Sequence, residues 1–224
     1  MSDPELFLPR DAAAPAVGPT APVSHVAHVA VEASPLGLPS RNLAIWLFIT
    51  ADAATFGAIL FGYGYLRVGS PTWSRPFAFV PTILNAVIMT VILLTSSLTM
   101  LAATRAAEAG RREATVRRLG ATVLLGLAFA GLHLREWFAM IAEGWRPGTN
   151  PLGGPPIFGA TFFSITGLHL LHVVGGVVAL VVIALGVRSG RFGAGHVETT
   201  GLYWHFVDLV WMFVFPLVYL MNAR

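Results

Sequence analysis

Six ionisable side chains stand as three pairs spaced i, i+3 inside long apolar stretches: His133/Glu136, His169/His172 and His205/Asp208. Asp52 and Arg135 share that setting. On a helix this spacing puts both members of a pair on one face. Imidazole and carboxylate so placed could ligate iron, zinc or copper, and Glu-x-x-His pairs on facing helices build di-iron sites in bundles. Other readings are proton relay through buried Asp52 and Glu136, and plain helix-to-helix hydrogen bonding or contact with lipid head groups. Haem ligation fits poorly, because the pairs are stacked three residues apart on single helices instead of facing each other at two depths. The absence of cysteine excludes disulfides, thiolate-held iron–sulfur clusters, c-type haem attachment and Cys-based zinc sites.

The elements that must position these residues follow from composition. The 224 residues are 55% hydrophobic and 11% charged, against about 25% charged in soluble domains. With a mean hydropathy of +0.71, the chain reads as a single integral membrane domain. Five apolar runs, at 42–66, 81–104, 119–143, 157–187 and 201–220, each approach or exceed the roughly 20 residues needed to cross the hydrocarbon layer. No strand-like alternation suggests a barrel, so the expected fold is all-α, a bundle of five transmembrane helices over 42–224. Residues 1–41 hold seven of the fifteen prolines and no sustained periodicity. They read as a disordered or extended N-terminal cytoplasmic tail, whose acidic start is unlike a secretory signal.

All fourteen basic residues are Arg, and thirteen sit outside the apolar cores of the spans. Nine fall on the side made by the tail and the second and fourth loops, four on the other. That imbalance predicts a cytoplasmic N-terminus and an outside C-terminus in a bacterial-type plasma membrane. It also explains the formal net charge of +3 without a nucleic-acid partner. No inverted repeat of the kind found in many transporters is visible.

Counting rise along the helices places His205 and Asp208 roughly 6–11 Å into the last span and His133 and Glu136 roughly 21–26 Å along the third. The two pairs therefore belong to opposite halves of the membrane, while His169 and His172 could join His205 and Asp208 below Asp52. Gly126 and Gly131 in the third span, and Gly167, Gly175, Gly176 and Gly186 in the fourth, predict close helix approach. Pro216 predicts a kink. Trp73, Trp145 and Trp204 fall near expected helix ends, where interfacial anchors belong.

Four stretches carry a resemblance. Residues 203–211, YWHFVDLVW, resemble the WHFxDxVW signature of subunit III of haem-copper terminal oxidases, and 162–173, FFSITGLHLLHV, resemble that family's FFxLTGxHGLHV run. The segment 81–100, with Leu84-Asn85 and Thr95-Ser96-Ser97, is similar to a second helix of the family. Trp46-Leu47-Phe48 through Phe61-Gly62 is similar to the helix that holds its buried carboxylate. The resemblance covers 46–219 and implies the five-helix form of the family. It further implies a non-redox subunit with no haem, copper or catalytic residue of its own, packed against catalytic subunit I and subunit II, which carry those cofactors. It implies bound phospholipid, support of proton uptake, and stabilisation of the catalytic subunit. Asp52 falls where many members have a buried Glu, and aspartate there resembles quinol-oxidase members. Glu136-Trp137 match a Glu–aromatic pair and His133 stands where Gln is common, while His172, His205 and Asp208 match directly. The expected role is accessory subunit of a proton-pumping cytochrome c oxidase in aerobic electron transport. The alternatives are a quinol oxidase subunit III, a nitric-oxide-reductase-associated relative, and, more remotely, a membrane-embedded His/carboxylate metalloenzyme.

Overall fold

The computed structural model describes residues 40–223. Apart from Ser40 and Arg41, the expected N-terminal tail lies outside the described residues. Five helices account for most of what is described: α1 Ser40–Gly69, α2 Leu84–Glu108, α3 Arg112–Ala142, α4 Ile157–Arg188 and α5 Ala194–Val214. All five lie in segments long and apolar enough to cross a membrane. Among the described residues, extended pairing is limited to the isolated bridges Phe77–Ala223 and Arg146–Thr149.

Helices α2, α3, α4 and α5 form a closed ring in which each packs on its neighbours, and α1 lies outside it against α4 and α5. Three chain reversals share one mechanism. Gly110, Gly144 and Gly190 take positive φ just past the ends of α2, α3 and α4. The next residue's N–H then returns to a carbonyl of the last turn: Arg111 to Ala106 at 2.9 Å, Trp145 to Met140 at 3.0 Å and Arg191 to Gly186 at 2.9 Å. This glycine-closed cap satisfies orphan carbonyls that lipid could not.

Those caps explain where the boundaries differ from expectation. The basic stretch after Arg105 is not a long loop, because α3 begins at Arg112, seven residues ahead of the expected start. Arg, Glu and Ala are good helix formers, and Glu113 sits favourably in the first turn. Apolarity marks the hydrocarbon, whereas the helix continues into polar sequence; α5 likewise starts at Ala194 instead of 201. At Pro216 the missing N–H breaks the α pattern and the chain widens into a π-type turn over Phe215–Tyr219.

Aromatic and small residues fit together at the ring's centre. Trp204 and Trp145 are buried, not interfacial anchors. Trp204 lies within α5, where it packs over Gly126 of α3 and Gly176 of α4 and its indole N–H donates to Ser96 Oγ of α2 at 3.0 Å. A Cβ on Gly126 would stand 2.7 Å from the Trp204 ring and 2.8 Å from Val177, and one on Gly176 would stand 2.9 Å from Trp204. Gly131 departs from expectation: it is exposed and a Cβ there would meet nothing within 4 Å. Gly126→Ala should therefore destabilise the solubilised protein by about 1–3 kcal/mol through overpacking. Gly131→Ala, in the same helix, should be neutral or slightly stabilising. Thermal unfolding of the two variants side by side checks both.

Candidate functional site

The expected four-residue cluster of His169, His172, His205 and Asp208 does not form. His205 and Asp208 share Ser97, whereas His169 and His172 turn to other neighbours, and among the described residues no three His, Asp or Glu side chains come together with metal-holding spacing. The residues lie within about two turns of one another in depth, but they face different helices: His205 and Asp208 face α2, His172 faces α1, and His169 stacks on Trp211.

His172 reaches α1. Its Nε2 lies 3.1 Å from Asp52 Oδ2, while its Nδ1 lies 2.8 Å from the Leu168 carbonyl one turn back. A carbonyl can only accept, so Nδ1 is the donor to Leu168 and Nε2 is the atom turned to the Asp52 carboxyl. Phe56 of α1 stands edge-on to the same imidazole, and the Tyr203 hydroxyl donates to the His172 carbonyl at 3.0 Å.

His205 and Asp208 of α5 meet Ser97 of α2. The Ser97 hydroxyl donates to Asp208 Oδ2 at 2.7 Å and lies 3.0 Å from His205 Nδ1. A hydroxyl has one proton, so with that proton on Asp208 the imidazole Nδ1 must donate in turn. Glu136 of α3 accepts from Asn85 Nδ2 of α2 at 2.7 Å. His133 and His169, from α3 and α4, instead enter an aromatic box: His169 stacks on Trp211 at 5.2 Å, and Phe129 lies 5.7 Å from each imidazole. Arg135, the remaining ionisable residue of this span, is exposed.

Sequence reasoning missed the most connected polar residue, Asn222, which is fully buried beyond the last helix. Its Oδ1 accepts from Trp73 Nε1 at 2.8 Å and from Arg67, its Nδ2 donates to Tyr63 Oη and to the Val218 carbonyl at 2.6 Å each, and its carbonyl accepts from Phe77 N at 3.4 Å. One amide thus ties the end of α1 to the α1–α2 connection and to the C-terminal turn. Asn85 and Ser97 stand out in the sequence only as parts of a motif, and their pairing across helices leaves no trace in hydropathy.

The described chain is a polytopic membrane bundle whose buried polar side chains mostly bridge one helix to another. It belongs to the cytochrome c oxidase subunit III family, whose sequence model matches residues 36–223. It is 33% identical over 184 residues to cytochrome bo(3) ubiquinol oxidase subunit 3 of Pseudomonas aeruginosa, covering 80% of this chain and 83% of that one. It is also 33% identical over 188 residues to cytochrome c oxidase subunit 3 of Alkalihalophilus pseudofirmus, covering 82% and 88%. A probable quinol oxidase subunit 3 of Staphylococcus epidermidis is 31% identical over 185 residues, covering 81% and 89%.

Two outcomes follow from the geometry. Asn222→Ala leaves the Trp73 and Arg67 donors without their acceptor and removes the N–H that Tyr63 Oη accepts, and should cost about 3 kcal/mol or more, since each buried orphan costs about 1–3 kcal/mol; loss of thermal stability checks this. A double-mutant cycle of Asp52→Ala with His172→Ala should give a coupling of about 0.5–3 kcal/mol, as for residues in direct contact. Additive single effects in the same unfolding assay would show the two helices to be independent there.

Proposed function

We propose that this chain is the accessory, non-redox subunit III of a proton-pumping haem-copper terminal oxidase of the cytochrome c oxidase kind. It stabilises the catalytic subunit, binds phospholipid and supports proton uptake, while haem and copper reside in partner subunits I and II. The observation that carries this reading is how the polar side chains are used. Asp52–His172, Ser97 with His205 and Asp208, and Asn85–Glu136 each join two helices, so the groups that could do chemistry act as ties. Groups tied in this way hold a scaffold for a partner. Much of α1 supports the same reading, since Trp46, Leu47, Phe48, Phe61, Tyr65 and Val68 are exposed and in a membrane meet lipid or another subunit.

Arginine placement supports an orientation with the α2–α3 and α4–α5 turns in the cytoplasm. The N-terminus would then be cytoplasmic and the C-terminus outside, in a bacterial-type plasma membrane. A quinol oxidase is the second reading, favoured by aspartate at position 52 and by quinol-oxidase relatives as similar as the cytochrome c ones. The electron donor is chosen by other subunits, so both readings share the role argued here.

Purification through a tag on this chain tests the role. A larger haem-bearing partner should co-purify, and the separated chain should retain no stoichiometric iron or copper. A stable, solitary chain holding either metal would contradict the proposal and favour a membrane metalloenzyme.

A further inference from the structure

Among the described residues, five have buried polar atoms without a hydrogen-bond partner; one, Asp208 Oδ1, belongs to the Ser97 cluster, and the other four residues lie together. Both ring nitrogens of His133, both of His169, Oε1 of Glu136 and the hydroxyl of Tyr219 are buried without a hydrogen-bond partner. The two histidines and Tyr219 are fully buried, and Glu136 is 7% exposed. Such atoms bear the full cost of leaving water, and native proteins rarely leave them unpaired.

The four are neighbours. His133 and Glu136 share one face of α3. His133 and His169 both contact Phe129 and Trp211, and Trp211 contacts Tyr219 at 5.7 Å. The Tyr219 hydroxyl stands beside the Glu136 carboxylate, placed to donate to it, so the two imidazoles are the groups with no partner within reach. Glu136 also lines a cleft of about 130 Å³ between α2 and α3, together with Asn85, Arg135, Met140 and Glu143. A cleft of that size admits several waters, since one needs only about 10–15 Å³ of such space. It lies at the end of the bundle away from the Arg-rich turns, beside the 76–82 segment.

We propose that bound water extends from the Asn85–Glu136 cleft into the interface of α3, α4 and α5 and hydrogen-bonds Glu136, Tyr219, His133 and His169. The ligand is water, and the site is a blind, hydrated spur reaching one turn of α3 deeper than the carboxylate. A neutral imidazole offers one donor and one acceptor, as does a hydroxyl, so a water with two donors and two acceptor sites can pair with each. Buried waters typically make about three such bonds.

Two tryptophans on α5 supply an internal comparison. Trp204 and Trp211 are both fully buried, and each has its indole N–H satisfied, by Ser96 and by Thr90 respectively. Only Trp211 adjoins the unsatisfied imidazoles. X-ray hydroxyl-radical footprinting of the intact oxidase complex generates radicals from water in place, so it should oxidise Trp211 and leave Trp204 unmodified. In a complex carrying His133→Leu and His169→Leu, which makes the spur apolar, Trp211 labelling should be lost. Unlabelled Trp211 in the native complex, or undiminished labelling in the double variant, would overturn the proposal. If the double variant does not assemble, a high-resolution experimental structure of the native complex decides. Ordered density within hydrogen-bond reach of both imidazoles supports the site, and continuous side-chain packing there rejects it.

Discussion

Trp204 can occupy the centre of the ring only because Gly126 and Gly176 carry no side chain, and much else follows from that fit. With the indole seated between α3 and α4 and its N–H on Ser96 of α2, one residue of α5 fixes three neighbours at once. The register it sets places Asp208 one turn further along, opposite Ser97. Trp211 comes next, against Phe129 and the two buried histidines. A membrane offers little hydrophobic drive for one helix to join another, so close packing and interhelical hydrogen bonds must supply it. Here both act on the same face of α5.

The outer helix is held differently. Most of α1 is exposed, and its attachment depends on a few contacts spaced along its length: Asn42 with Thr199, Asp52 with His172, Tyr63 with Leu217 and Asn222, and Arg67 with the C-terminal turn. The Asp52–His172 contact gives each of two polar groups a partner, which suits a low-dielectric setting better than leaving either alone. A peripheral helix attached by polar contacts, with a broad apolar surface facing outward, is what an accessory subunit needs to meet a larger partner.

Five spans, an all-helical fold and the residues able to bear charge at depth were all legible in the sequence, because hydropathy and i, i+3 spacing report directly on membrane helices. The family was legible too, in the runs around His169 and His205. Partners across helices were not. Asn85, Ser97 and Asn222 are short and polar inside apolar sequence, and only the packing of separate helices shows that they complete the bonds of Glu136, Asp208 and Tyr63. Depth was legible and facing direction was not: Tyr203 meets the His172 carbonyl and Trp204 meets Gly176, so α4 and α5 are level there. Yet His205 and Asp208 turn to Ser97 of α2, His172 to Asp52 of α1 and His169 to Trp211, so no four-residue cluster forms. Gly131 and Trp204 show the complementary limit, since residue type suggests a role and only the facing surface decides it.

The central claim is that the buried polar groups hold the bundle together and take no part in reducing oxygen. Asp208→Ala tests it most directly, with two quantities read from one preparation: the yield of assembled oxidase complex, and oxygen turnover per haem in the complex that does assemble. Lower yield with turnover per haem unchanged is the predicted result. Normal yield with electron transfer to oxygen abolished would contradict it.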